Sequence, residues 1–325
     1  MHLDKTSLKL KYDSRYQSDY MDSDTFSVWT QQGLAAFRVR QTLEQIDSKP
    51  ETILDYGTGQ GKWIPLLQEM YPDAKITGID ISEVAIDKAK NKYPSCNFYS
   101  FDGEKSPFDD NTFDLIFSFH VLEHVLDIES TLDDIARILK PQGYACIIFP
   151  CGNRKSFEEK IVSSLEGGII KSDTGESIFF HEKNDGHLRR MRSGETIKLF
   201  EERGIKIFSE AYSGQFFSSI DWIVRGTGPW YINRLLKTLT PTGPVSKVRL
   251  SVIHIFLFYL NRFINLKNLD IKKPRNPVKQ SIVILLKKSA LFTDQAIVNL
   301  ALWEWRHHRH KKNGTVQYLI FKKIT

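Results

Sequence analysis

The stretch Ile53-Leu54-Asp55-Tyr56-Gly57-Thr58-Gly59-Gln60-Gly61-Lys62-Trp63 decides the fold. A short apolar run ends on an acid, glycine then stands at alternate positions, and the chain beyond can turn helical. Glycine has no Cβ, so the backbone can fold tightly, reach positive φ and lie close to a ligand. A helix starting after such a loop points unpaired N–H groups at whatever sits over it. Alone, the pattern also fits a strand-to-helix turn with no ligand, so its meaning depends on the rest of the chain.

The chain on either side alternates. Apolar runs at 53–55, 75–80, 96–101, 114–119, 144–150, 205–211 and 314–323 read as strands. Helical patterns fall at 63–70, at 82–93 with Ser82 as a cap, and at 193–203 with Ser193 as a cap and Gly204 just beyond. Ile128, Leu132, Ile135 and Leu139 recur at helical spacing, and Lys140-Pro141-Gln142-Gly143 is expected to stop that helix. Upstream, Trp29, Ala36, Leu43 and Ile46 suggest a helix within 28–46, ended by Lys49-Pro50. Residues 1–27 show no clean period, and 151–192 reads as a loop rich in Gly, Ser and charge. Strands alternating with helices, each strand almost continuously apolar, imply a parallel sheet covered on both faces.

The net charge of +6 conceals an asymmetry. Residues 230–325 hold 18 Lys and Arg against 3 Asp and Glu, a charge of +15, while residues 1–229 carry −9. A tail so basic implies an anionic partner: a membrane surface, a nucleic acid or an acidic substrate. The start of the chain carries no apolar leader, and Cys96, Cys146 and Cys151 form no Cys-x-x-Cys pair. Both features suit a reducing cytoplasm.

About a hundred residues separate the last two strands, more than a compact sheet requires. Within them, residues 245–266 are mostly apolar, the exceptions including Lys247, Arg249, Ser251, His254, Asn261, Arg262 and Asn265. All of these but the two arginines lie toward one side of a helix, where Lys247, Ser251 and Asn261 are expected to stay wet. The uninterrupted apolar run is too short to span a bilayer. A second apolar piece, 282–286, precedes Lys287-Lys288, and Trp303 and Trp305 precede the basic run 306–312. Wide apolar faces, tryptophans and basic clusters are ingredients of an interfacial element, although the same faces also suit a helical subdomain or a dimer contact.

Three acids end consecutive strands: Asp55, Asp80 and Asp102. In open parallel sheets the ligand crevice lies outside the carboxyl ends of the strands, and an acid about 25 residues past the glycine loop suits a ribose. Together with these features, the chain resembles the class I S-adenosylmethionine-dependent methyltransferases, in particular the ubiquinone and menaquinone biosynthesis group and related small-molecule and lipid methyltransferases. The resemblance covers about residues 50–211 and rests on five stretches. They are residues 53–61, Gly78-Ile79-Asp80-Ile81-Ser82, Phe101-Asp102-Gly103, the run 113–125 ending Leu122-Glu123-His124-Val125, and Leu139-Lys140-Pro141-Gln142-Gly143. It implies a Rossmann-like, doubly wound, mostly parallel seven-stranded sheet whose last strand is antiparallel, with a helical insertion between strands six and seven.

By the same resemblance, S-adenosylmethionine is the cofactor. Asp55 would orient the loop, Gly57, Gly59 and Gly61 would form it, and Asp80 would bind the ribose. Ile81 would pack on adenine, Asp102 with Gly103 would read its amino group, and the backbone at Phe119 and His120 would flank the cofactor. Gln60 departs from the Cys or Ser usual there, which a loop built on backbone contacts tolerates.

Methyl transfer needs alignment and removal of an acceptor proton. His124 and His120 lie nearest the carboxyl end of the fourth strand, and His187 lies in the loop after the fifth; any of the three could be the base, and His181 is a weaker candidate. No metal site is expected, because His307, His308 and His310 match no closed zinc spacing. Cys151 lacks the second motif of a cysteine-dependent base methyltransferase.

The expected organisation is an N-terminal helical cap (1–49), a methyltransferase core (50–212), a basic apolar insertion (213–313) and a closing strand (314–325). The expected acceptor is a small molecule or lipid-linked compound, methylated in the cytoplasm with the protein peripheral on the inner membrane face. The alternatives are a soluble sugar or small-molecule O-methyltransferase with a lid or dimer insertion and a nucleic-acid-binding methyltransferase. Nucleic acid is disfavoured, because a phosphate-binding patch needs no wide aliphatic face. Oligomeric state and the methylated atom stay open.

Overall fold

The computed structural model describes residues 4–17, 33–101, 105–162, 169–172, 175–179, 183, 186–222, 224, 244–268 and 277–325. Strands β1 (Thr52–Tyr56), β2 (Lys75–Asp80), β3 (Asn97–Ser100), β4 (Phe113–Phe119), β5 (Leu139–Pro150), β8 (Ile205–Ser213) and β9 (Val316–Lys323) form one sheet in the order β3-β2-β1-β4-β5-β9-β8. A separate two-stranded ribbon joins β6 (Ile169–Lys171) to β7 (Ser177–Phe179). From β3 to β5 every pairing is parallel. The last strand, β9, enters antiparallel between β5 and β8. The expected seven-stranded, mostly parallel sheet with its final strand reversed is therefore what the chain builds.

Successive side chains of a strand point to opposite faces, and both faces here are dry. Ile53 joins a core with Val39, Leu43, Trp63, Leu67 and Ile86, while its neighbour Leu54 joins Leu132, Ile135, Phe149 and Phe200 on the other side. Helices α1 (Lys5–Gln17), α2 (Leu34–Leu43), α3 (Ile64–Met70), α4 (Glu83–Lys92), α5 (Ile128–Ile138), α6 (Phe157–Val162) and α7 (Ser193–Glu201) supply the cover. Each fully buried Leu or Ile contributes roughly 1.5–3 kcal/mol. Capping fixes where the helices begin: Ser82 Oγ accepts from Ala85 N at 3.2 Å, and Asp127 Oδ1 from Ser130 N at 3.1 Å.

Several local expectations are corrected. Lys5–Gln17 is helical, in keeping with a helical cap although its sequence shows no clean period, and is held by Lys9 on Glu83 and by Ser82 Oγ donating to Asp13 Oδ1 at 2.6 Å. Helix α2 ends at Leu43, well before Lys49-Pro50, and Trp29 lies outside the described residues. The helix does end just ahead of Lys140-Pro141-Gln142-Gly143, at Ile138, but the run itself is already part of β5: Lys140 Nζ pairs with Asp114 Oδ1 at 2.9 Å, and Gln142 takes φ +63°. Arg192, not Ser193, caps α7, its N–H donating to Glu195 Oε2 at 2.8 Å. The stretch read as a loop contains α6 and the β6–β7 ribbon.

Between β8 and β9 run α8 (Phe217–Trp222), α9 (Pro244–Asn265), a single 3-10 turn (Leu266–Asn268) and the long α10 (Pro277–His308). The carboxyl end of α10 is set into the core. Trp305 is 0% exposed, stands edge-on to Tyr318 at 4.9 Å, and donates from Nε1 to Gln41 Oε1 at 2.7 Å. Trp305 is thus a core residue rather than an interfacial one, while Trp303 stays 44% exposed. Glu304 accepts from the N–H groups of Phe216, Phe217 and Ser218 at 2.8–3.0 Å, which caps α8.

On α9, Asn261 is buried with Leu257 and Ile264, its Nδ2 donating to Val224 O at 2.6 Å, so it does not stay wet. The side chains of Lys247 and Ser251 lie outside the described residues. We predict that Trp305→Ala lowers unfolding stability by about 3–5 kcal/mol. Urea denaturation measures it, and a loss below about 1 kcal/mol would contradict the anchoring role.

Candidate functional site

The glycine loop joins β1 to α3 and is tied to the neighbouring strand. Gly57 N and Thr58 N both donate to Ile79 O at 2.8 Å. Gly57 has φ +80° and Gly59 φ +54°, the left-handed region that glycine enters without penalty. A Cβ on Gly57 would stand 2.2 Å from Val121 Cγ2, and one on Gly59 2.5 Å from the Tyr16 hydroxyl. A Cβ on Gly61 would meet the Tyr93 ring at 2.7 Å, so that position serves packing of the loop against α4.

The two strand-end acids within the described residues both hold this loop. Asp55 is 1% exposed and accepts from Thr58 Oγ1 at 2.7 Å; burial pushes its carboxyl up to about 7. Asp80 accepts Gly59 N–H at Oδ2 (2.8 Å) and Ser82 N–H at Oδ1 (3.0 Å). Burial drives the Asp80 carboxyl up to about 6 against the pull of these backbone donors. Ile81 is half-buried directly after Asp80. Asp102, Gly103 and His181 lie outside the described residues. Helix α1 lies across the site: Tyr16 reaches Gly59, and burial next to Asp80 raises its phenol well above the ordinary range.

A second cluster forms at the carboxyl end of β4. Phe119 packs at 4.5 Å from both Trp63 and His120. His120 sits at φ +56°, strained for a residue with a Cβ, and its N–H donates to Ile148 O at 2.7 Å. Its Nδ1 lies 3.0 Å from Glu123 Oε1. Glu123 is 0% exposed. His124 Nδ1 is 3.1 Å from Gly186 O, its Nε2 is 3.8 Å from Glu123 Oε1, and its ring stands 4.8 Å from that of His187 and 5.8 Å from that of Tyr12.

The chain therefore brings His120, His124 and His187, the three candidate bases of the sequence, together around a carboxylate that sequence reasoning passed over. The signal was present: Glu123 lies three residues past one histidine and next to another. Burial pushes the His124 imidazole down to about 3, while the surrounding imidazoles hold the Glu123 carboxyl low although burial opposes them. Arg189 fastens the two segments, donating to the carbonyls of Leu122, Val125 and Leu126, and Leu188 N donates to Glu123 O at 2.7 Å. Cys151 is fully buried, and its thiol is pushed up to about 11, so it offers no nucleophile.

A family profile described as a methyltransferase domain matches residues 54–147. A demethylmenaquinone methyltransferase of Chlorobaculum tepidum is 33% identical over 177 residues, covering 53% of this chain and 72% of that protein. A trans-aconitate 2-methyltransferase of Escherichia coli is 32% identical over 121 residues, 36% of this chain and 47% of that protein. Among solved structures, a phosphoethanolamine N-methyltransferase 2 of Haemonchus contortus superposes with a TM-score of 0.51 at 14% identity, over 98% of this chain and 61% of that one, a likeness of fold alone.

The loop geometry makes its own prediction. Gly57→Ala combines a forbidden φ with a clash on Val121, so it should cost more than about 1 kcal/mol of unfolding stability, read by chemical denaturation. A neutral outcome would mean that the loop is not held as described.

Proposed function

The chain belongs to the class I S-adenosylmethionine-dependent methyltransferases, and on that premise we propose that it methylates a lipid-like or lipid-linked small molecule met at an anionic membrane surface on the cytoplasmic side. One observation carries the finer part of this reading. Helix α9 exposes Val248, Val252, Ile255, Phe256 and Tyr259 along one face, while Leu257, Asn261 and Ile264 of the opposite face are buried. Helix α10 likewise exposes Val278, Ile282, Leu285 and Phe292, the last at 78%.

Contiguous apolar surface of this kind marks an interaction site. It lies in a region of 18 basic and 3 acidic residues, which favours an anionic lipid surface over a neutral partner. Among the described residues no helix is long and apolar enough to cross a membrane, in keeping with lying on one. The name of the demethylmenaquinone relative points to a quinone acceptor for that protein, which agrees in kind.

The residues present fit the cofactor. A cradle that a Cβ would fill stands at Gly57, and a carboxylate at the end of β2 flanks it. We assign Asp80 to the ribose hydroxyls, Ile81 to the adenine face, Asp102 and Gly103 to the adenine amino group, and Asp55, Gly57, Gly59, Gly61 and Phe119 to shaping the loop and its wall. When bound, the cofactor supplies an electrophilic methyl on a sulfonium centre. The chain's own part is alignment and proton removal. His120 is more open than His124, at 35% side-chain exposure against 18%, and Glu123 orients it through Nδ1. We place it against the acceptor's reacting group.

Tyr16 stands on the loop, so α1 has to shift as the cofactor enters. A cleft of about 320 Å³ at the same edge of the sheet is lined by Lys155, Lys160, Lys311, Phe217 and Trp303. That mixture suits an anionic headgroup on an apolar molecule.

Two measurements test this function. Asp80→Ala should weaken cofactor binding by about 1.5–3 kcal/mol, the worth of hydrogen bonds to a charged group. A carboxylate is all-acceptor only when ionised, so in the wild type calorimetric affinity should fall as pH drops through about 6, and Asp80→Asn should flatten that profile. Unchanged affinity in both variants would remove the ribose assignment.

Co-sedimentation with liposomes tests the membrane part. Binding should require anionic lipid and weaken as salt shortens the screening length, and Phe256→Asp with Phe292→Asp should abolish it. Protein that stays in the supernatant at low salt would leave the apolar faces to a second copy or a lid.

A further inference from the structure

The cluster below His120 has a feature that methyl transfer alone leaves unexplained. Glu123 is wholly buried, and among the described residues its Oε2 has no hydrogen-bond partner. A buried carboxylate left short of partners is costly, and proteins rarely keep one unless it meets a charge or a metal. Facing it is His124, whose Nδ1 lies 3.1 Å from the Gly186 carbonyl. A carbonyl only accepts, so the proton sits on Nδ1, and in the neutral ring Nε2 turns a lone pair toward Glu123 Oε1 at 3.8 Å. Two acceptors facing each other across that gap call for a cation between them. His187 completes the set: ligand atoms of Glu123, His124 and His187 all lie within 4.8 Å of one another.

We propose that Glu123, His124 and His187 bind a divalent transition ion of the zinc class, with a coordination position left open toward the acceptor. Two histidines and a glutamate are a donor set of open, catalytic zinc sites, whose fourth position takes water or substrate. The Nδ1–H of His124 on a backbone carbonyl is the outer hydrogen bond that metal-bound imidazoles use to fix tautomer and ring orientation. Imidazole and carboxylate together suit zinc, cobalt and their neighbours better than magnesium or calcium.

The ligand atoms have to draw in to about 3.3 Å of one another, the spacing that tetrahedral bonds of 2.0–2.1 Å demand. Leu188 N–H on Glu123 O and the Arg189 strap hold the two segments in register for this. Sequence spacing hides the site, because His187 lies 63 residues beyond His124. That the open position serves the methyl acceptor rests on the proposed methyl transfer; ion binding itself does not.

The experiment uses full-length protein carrying His307→Ala, His308→Ala and His310→Ala, so that the terminal histidine tract contributes nothing. After chelator treatment and dialysis, calorimetry with Zn²⁺ and visible absorption with Co²⁺ are recorded. One ion per chain is expected, with the ligand-field absorption of a four- or five-coordinate site. His124→Ala and His187→Ala should each weaken binding by about 100-fold or more. Since Glu123→Gln is buried and prone to misfold, cofactor affinity of each variant, measured in parallel, reports whether the fold survives.

The absence of stoichiometric binding, or binding indifferent to His124 and His187, overturns the metal site. Cofactor binding preserved alongside that result leaves the methyltransferase reading standing, so the two failures are distinguishable.

Discussion

One carboxylate holds two turns together. Asp80 accepts Gly59 N–H with one oxygen and Ser82 N–H with the other, so the loop after β1 and the start of α4 are fastened to the end of β2. The same strand end takes Gly57 and Thr58 on the carbonyl of Ile79. Once the loop is pinned there, Gly57 presents a bare Cα to Val121, and the chain beyond β4 can pack directly on it. That contact sets where His120, Glu123 and His124 lie. The crevice of the parallel sheet and the histidine cluster are thus consequences of one short hydrogen-bonded unit rather than independent features.

The insertion follows a different logic. Its last helix is welded to the core at its carboxyl end, through Trp305 beneath α2 and Glu304 on the α8 N-terminus, and farther along Asp294 pairs with Lys267 at 2.7 Å. Toward its other end the helix exposes aliphatic side chains, as does one face of α9. These exposed side chains form an apolar surface that lies outside the sheet core. The anionic surface we propose as its occupant would complement the basic residues concentrated in the same stretch.

Much of this is legible in the sequence because strand ends carry chemistry. The acids Asp55 and Asp80, the glycines between them and the apolar runs point to a parallel sheet and its loop, while the reversed last strand is what the family resemblance implies. The features that escape a sequence reading are set by tertiary contacts. Helix α1 has almost no amphipathic pattern, and its order comes from Lys9 on Glu83 and Asp13 on Ser82, partners about seventy residues away. Asn261 looks like a solvent-facing polar residue, yet it satisfies a carbonyl at Val224 inside the packed face. Lys140 stands just past a helix end, as its sequence suggests, but its pairing with Asp114 across two strands is a tertiary contact. Glu123 is only half legible: the sequence sets it beside His120 and His124, but nothing local shows that it is buried or that His187 comes to join them.

We propose that the methyl donor is held at the Gly57–Gly61 loop and the end of β2, over which α1 lies. Amide hydrogen exchange with and without S-adenosylhomocysteine tests this most directly. The expected result is added protection at Gly57, Gly59 and Ser82 together with altered exchange along residues 5–17, as Tyr16 gives up its place on the loop. Protection confined to other parts of the sheet, or no change at the loop under saturating ligand, would contradict it.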